Sequence, residues 1–180
     1  MRTPWRCATR RRVQAWGSGD GGRVVEIASA TSKDVAYICH LQRIEANGLD
    51  SVGFLPRVAF EREIAANGLI LISRENDDEV GYIYATRNRH GVTRIQQVVV
   101  QDDARRLEIG SALVDAVTAP HDWLLSLRCR ENLPAVQFWK DRGFQVVAID
   151  STPTRRGVGV YRFQKVIGGL SAPGPGVGVW

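Results

Sequence analysis

A chain of 180 residues, 44% hydrophobic and 24% charged, has room for one folded domain and is short for two. No apolar run approaches the roughly 18 residues of a membrane-spanning helix, so the composition argues against a membrane partner. The net charge of +5 would suit a polyanionic partner, but residues 1–22 carry Arg2, Arg6, Arg10, Arg11 and Arg12 against Asp20, which accounts for four of those five charges. The rest of the chain is close to neutral.

Residues 1–22 are rich in Arg and Gly and have no hydrophobic period, so they read as a disordered basic arm. Nucleic-acid binding, if present, would fall to this arm. It has no apolar core of the kind a secretory signal needs, although an Arg-rich, acid-poor start also has the composition of a transit peptide. Gly17, Gly19 and Gly22 match G-x-G-x-x-G, but no strand is predicted before them and a strand follows, so the dinucleotide-binding context is missing. Residues 168–180 read as a second, Gly/Pro-rich flexible tail. The domain is expected over 23–167.

Within it the elements alternate. A strand over 23–28 leads to a helix capped by Ser32 and running to about Asn47, with Val35, Ile38, Leu41 and Ile44 on its apolar stripe. Pro56 suits the first turn of a second helix ending near Asn67 and Gly68. Strands over 69–73 and 80–86 flank the polar hairpin turn Glu75, Asn76, Asp77, Asp78. The strand over 93–100 ends in three valines, a run that suits burial on both faces. Ile109, Ala112, Leu113, Ala116 and Val117 then repeat at helical spacing over 109–119. A strand over 123–129 follows, joined to the strand over 93–100 by a right-handed crossover between parallel strands. Asn132 is expected to cap a helix with Pro134 in its first turn and Gly143 at its end. Strands over 144–149 and 159–165 close a β-α-α-β-β-β-α-β-α-β-β order, an α/β fold with a mixed sheet.

Cys7, Cys39 and Cys129 are odd in number and widely spaced, which argues against a disulfide framework and suits a reducing cytoplasm. His40, His90 and His121 show no metal-ligand spacing, so no metal is expected. The informative stretch is the turn from Val100 into the helix at Ile109. A helix start after a strand offers backbone N–H groups and the positive dipole end to an anion. Arg105 and Arg106 add charge, while Gly110 and Ser111 allow close approach. An ordinary strand–helix turn with two solvated arginines is the competing reading.

Val98-Val99-x5-Arg-Arg-x-x-Ile-Gly-Ser-Ala-Leu resembles the acetyl-CoA-binding motif of the GNAT (GCN5-related) N-acetyltransferase superfamily, Q/R-x-x-G-x-G/A. Arg105 takes the first position, Glu108 the first glycine's and Gly110 the second's. Downstream, Asn132, Ala135, Phe138, Trp139, Gly143 and Phe144 resemble the family's next block. The resemblance covers residues 23–166. It implies direct acetyl transfer from acetyl-CoA, a co-substrate, to an amine of a small molecule, peptide or protein. It places the pyrophosphate on Arg106, Leu107, Glu108, Ile109, Gly110 and Ser111. The pantetheine arm would lie along Val98, Val99 and Val100, where two parallel strands splay and a backbone N–H can polarise the thioester carbonyl. Asn132 would contact the arm as well as cap its helix. Family members are often homodimers.

Three departures bear on activity. Glu108 stands where a glycine is usual, putting a carboxylate beside the pyrophosphate, with its side chain expected to swing outward. Trp139 stands where many members carry a tyrosine that protonates the departing thiolate, and indole is no practical acid. Leu127 stands where some members carry a glutamate base. Gln96, Gln97, Tyr82, Tyr84 and Glu131 lie nearby in sequence without a catalytic assignment. A catalytically silent GNAT domain acting as a CoA-binding or interaction module is the alternative. Glu45, Asp50 and Phe54 would suit a cationic, partly apolar acceptor.

Overall fold

A computed structural model describes residues 11–15, 23–49, 53–105, 108–150 and 157–167, with backbone alone at 11–15, 23 and 45–49. They fall in two compact units. The first holds Met1–Thr86 and Ile95–Thr118, the second Arg87–Arg94 and Ala119–Trp180.

In the first unit the strands pair in the order β1 (Arg11–Ala15), β2 (Arg23–Ser29), β3 (Leu69–Glu75), β4 (Asp78–Arg87) and β5 (Val92–Val100). β1 lies inside the segment expected to be a disordered arm. It pairs antiparallel with β2, Val13 opposite Val25. A strand therefore does precede the glycines of the G-x-G-x-x-G match, but it joins β2 antiparallel, so the dinucleotide context is still missing. Residues 1–10, 16–22 and 168–180 lie outside the described residues. From Arg23 onward the expected α/β element order holds. Asn76 and Asp77 adopt φ of 52° and 70° between the paired Glu75 and Asp78, which makes a two-residue hairpin turn of the kind these side chains favour.

α1 (Val35–Leu49) and α2 (Arg57–Ala65) cover one face of this sheet. Val35, Ile38 and Leu41 of α1 and Phe60 of α2 pack with Ile70, Ile72, Tyr82 and Val99. The register Ile72↔Tyr82 and Leu71↔Ile83 sends alternate residues to opposite faces. Leu71 and Ile83 are fully buried too, so both faces of these strands are covered. α3 (Ile109–Val117) lies against β1, β2 and β3, burying Ile109, Leu113, Val114 and Val117.

Two details of α1 correct the sequence reading. The cap is Thr31, not Ser32, and it opens a 3-10 turn, Ser32–Asp34, that leads into α1: Asp34 accepts bonds from the Thr31 N–H at 2.6 Å and Oγ1 at 2.9 Å, the return half of a capping box. Arg74 holds the same carboxylate as an ion pair. Ile44 is 52% exposed and Gln42 fully buried in its stead. Gln42 can turn inward because its amide is satisfied there.

The second unit pairs β6 (Leu124–Arg130), β8 (Val160–Val166) and β7 (Gln145–Asp150) in that order, all antiparallel. α4 (Ala135–Asp141) packs on β6. Its end is a Schellman motif: Phe144 N–H reaches Trp139 C=O at 3.0 Å and Gly143 N–H reaches Lys140 C=O at 2.9 Å. Gly143 takes φ of 80°, the conformation that makes glycine the natural residue there. Asp122 is fully buried and anchors the unit, accepting a two-pronged pair from Arg87 at 2.8 and 2.9 Å and further bonds from Thr93 Oγ1 and Ala119 N–H.

Candidate functional site

The turn singled out in the sequence lies wholly in the first unit. β5 reaches it with Gln97 and Val99 buried and Val98 and Val100 half-buried. The valine run is thus covered on one face only, against the expectation of burial on both, because α1 and α2 cover the face of Val99. Gln101 N–H bonds Val80 C=O on β4 at 2.9 Å. By the alternation of a strand, the peptide groups of Val100 face the other edge of β5. β4 approaches closely here: a Cβ on Gly81 would stand 2.8 Å from the Val99 carbonyl.

A short 3-10 turn, Asp102–Ala104, follows β5. Arg105 folds back over it, its Nε 3.2 Å from Val100 C=O and one terminal nitrogen 2.9 Å from Asp102. Arg106 and Leu107 lie outside the described residues. Glu108 then adopts φ 59°, ψ 8°, a left-handed residue at the N-cap of α3, with its side chain exposed and making no cap bond. The glycine expected at this place would adopt that backbone without strain, and an L-residue pays about 1–2 kcal/mol for it. The first helical bond is Ala112 N–H to Glu108 C=O at 2.9 Å, so the amides of Ile109, Gly110 and Ser111 come ahead of the helix's own ladder. Ile109 is buried as an anchor, Gly110 is half-buried and Ser111 is 7% exposed.

The remaining candidates belong elsewhere. Asn132 is exposed in the turn after β6, and α4 begins later, at an N-cap of Pro134. It therefore does not cap the helix as expected, because Pro134, already helical in backbone, starts the turn. Trp139 is buried between Phe138 and Phe144, its ring 4.9 and 5.2 Å from theirs, a core residue of the second unit. Leu127 is buried as well. Glu131 accepts the Gly159 N–H at 3.0 Å and so fixes the approach to β8. Gln96 bonds the Thr86 hydroxyl. Tyr84 packs edge-on to Phe60, and burial, then Glu63, raises its hydroxyl pKa.

Sequence reasoning missed a buried polar network. Gln42 accepts from Leu55 N–H and donates to Leu55 C=O, both at 2.9 Å. Gln97 donates to Gln42 at 3.0 Å and to Gly53 C=O, and accepts from the Tyr82 hydroxyl at 2.9 Å. The segment after α1 is thereby tied to β5 just ahead of Val98. The signal was available: Gln42 falls at i+4 from Ile38 and i+7 from Val35, a polar residue on an apolar stripe.

Among the described residues no cluster of His, Cys, Asp and Glu could hold a metal ion. No described helix is long and apolar enough to cross a membrane.

Known proteins give the same picture. The family model described as an acetyltransferase (GNAT) domain matches residues 43–167. No curated protein sequence matches the chain. Among solved structures, Ard1 from Thermoplasma volcanium superposes with a TM-score of 0.67 at 18% identity, covering 79% of this chain and 97% of that one. The ribosomal-protein-S18-alanine N-acetyltransferase from Escherichia coli gives 0.65 at 18% identity, over 85% and 98%. The protein yncA from Salmonella typhimurium, solved with its cofactor acetyl-CoA, gives 0.66 at 16% identity, over 83% and 97%. At these identities the structures speak to fold alone, and it is the family model, spanning most of the chain, that shows this protein to belong to the GNAT acetyltransferase family.

Proposed function

We propose that the protein is an acetyl-CoA-dependent N-acetyltransferase, holding its donor on the end of β5 and the start of α3. The observation that carries this reading is Glu108, a non-glycine residue in left-handed conformation where the family motif has glycine. The chain keeps the bend of a phosphate-binding turn at a cost in strain. The residues present fit the donor. The amides of Ile109, Gly110 and Ser111 would take the pyrophosphate at a helix start. The half-buried edge at Val98 and Val100 would pair with the pantetheine arm, and a backbone N–H there would stabilise charge growing on the thioester oxygen. Arg105 would give up its bond to Val100 C=O to admit the arm. The acceptor amine, as its free base, would attack the thioester carbonyl, forming the N–C bond as the C–S bond breaks. The nitrogen would lose its extra proton to solvent as the amide forms, and the thiolate would leave as an anion and take a proton from solvent, since Trp139 is core.

A second reading is a GNAT domain that binds CoA without turnover. The burial of Trp139 and Leu127 favours it, because neither place supplies a group that moves a proton. Thiol release from acetyl-CoA in the presence of a panel of amines, peptide N-termini included, separates the two. Amine-dependent release supports the transferase, and binding of acetyl-CoA without release supports the silent domain. An amine of a small molecule, peptide or protein as acceptor, a cytoplasmic location, homodimerisation and RNA contact through the basic arm, residues 1–22, belong to the same proposal. Deleting residues 1–22 and measuring RNA binding tests the last.

A further inference from the structure

On the outer side of α1, away from the core stripe, Lys33, Ala36, His40 and Arg43 follow one another at i, i+3, i+7 and i+10, all exposed. This places three nitrogenous side chains on one face with no carboxylate between them. Across from them stands the start of α2. Between the two runs a cleft of about 190 Å³ lined by Ala36, Cys39, His40, Arg43, Phe54 and Arg57. Two arginines and a histidine thus surround a half-buried floor, and the phenyl ring of Phe54, 65% exposed, forms one wall. No acidic side chain lines the cleft. Glu61 pairs with Arg57 from one turn along α2, through Nε at 2.7 Å. Cys39 reports the same field: burial raises its thiol pKa, Arg57 and Arg43 draw it down, and Glu61, the partner of Arg57, opposes them weakly.

The wall is held in place. Gln42 binds both peptide groups of Leu55, and Gln97 binds the carbonyl of Gly53, so the segment carrying Phe54 is fixed on either side of the ring. A large exposed ring on a fixed segment, in a cleft also lined by Arg43 and Arg57, offers apolar contact and charge together. The volume is close to the roughly 150 Å³ known to hold one benzene-sized ring. This charge is opposite in sign to the one expected of this region from Glu45 and Asp50. Of those, Asp50 and the side chain of Glu45 lie outside the described residues.

We propose that this cleft between α1 and the start of α2 is a binding site for a small apolar carboxylate, with the ring or branched body of the ligand against Phe54 and its carboxylate between Arg43 and Arg57. The site lies on α1, α2 and the segment leading into α2, away from the end of β5 and the start of α3, so it stands whether or not the domain transfers acetyl groups. Arginine suits the role because its planar fork matches a carboxylate.

The test is titration of the full chain with sodium benzoate at fixed ionic strength, followed by amide chemical shifts, beside benzamide and inorganic phosphate. Saturable shifts confined to residues 36–43 and 54–57, with a Kd of about 1 mM, are expected for so small a ligand. Arg43→Ala should weaken benzoate about tenfold, and Glu61→Gln should tighten it by releasing Arg57. Both positions are exposed, and the spectrum itself reports whether each variant folds. Equal binding of benzamide would refute the role of charge. Equal binding of phosphate would refute the apolar part. Absence of benzoate shifts, or shifts that survive Arg43→Ala unchanged, would overturn the site.

Discussion

Replacing Glu108 by glycine changes two things at once, the backbone strain at this residue and the charge beside the proposed pyrophosphate site, the latter sized for an assumed separation. The left-handed backbone at φ 59° costs an L-residue about 1–2 kcal/mol. Glycine returns about 0.5–1 kcal/mol of that as extra freedom in the unfolded chain. The net gain is about 0.5–1 kcal/mol, a rise in Tm of about 1–4 °C for a domain of this size. The charge is the second term. A carboxylate about 6 Å from a doubly charged pyrophosphate repels it by about 1.4 kcal/mol in water, and screening over about 8 Å halves this. The variant should therefore bind acetyl-CoA about threefold more tightly. Glu108→Gln divides the two effects: it removes the charge and keeps the strain, so its affinity should rise while its Tm does not. Differential scanning calorimetry and isothermal titration of the three proteins measure both. If Glu108→Gly is less stable than the parent, the left-handed turn is refuted. If neither variant binds acetyl-CoA differently from the parent, Glu108 does not face the pyrophosphate.

Asp122→Ala removes the buried carboxylate that Arg87, Thr93 and Ala119 all bond and should cost about 3–5 kcal/mol in urea denaturation, with any loss under 1 kcal/mol contradicting the buried pair. Gly81→Ala drives a methyl against the Val99 carbonyl, 2.8 Å away, and should destabilise by about 1–3 kcal/mol while weakening acetyl-CoA binding through the displaced end of β5. Trp139→Tyr should lower stability by about 1–3 kcal/mol without raising turnover; a rate gain would show that this position reaches the thiolate. Burial pushes the Cys129 thiol up to about 11. The unfolded thiol therefore ionises first, so unfolding becomes easier as pH rises from about 9 to 11. Cys129→Ala should flatten that part of the stability profile.

The element order was legible because it rests on apolar periodicity, which the strands and helices from Arg23 onward display strongly. β1 was not, because Arg11–Ala15 joins the sheet through backbone pairing, which a basic composition does not advertise. Thr31 and Asp34 do spell a capping box, but Ser32 is an equally good cap by residue type, and only the bonds from Thr31 decide between them. At the candidate site the motif placed Glu108 in a glycine's position, and its backbone turned out to be the one glycine would adopt. The sequence could not show that Arg105 would spend its charge on Val100 and Asp102, since that depends on the 3-10 turn between them. Asn132 misled because an asparagine just before a Pro-led helix has the composition of a cap without the required spacing. The network of Gln42, Gln97 and Tyr82 and the cleft of Arg43 and Arg57 join residues far apart in the chain, and no local pattern encodes such meetings.

The central claim is that the end of β5 and the start of α3 hold acetyl-CoA. Amide hydrogen exchange with and without saturating acetyl-CoA tests it at the residues concerned. The account predicts slowed exchange at Val98 and Val100 and at Ile109, Gly110 and Ser111, with little change over α1 and α2. Unchanged exchange at all five would contradict it.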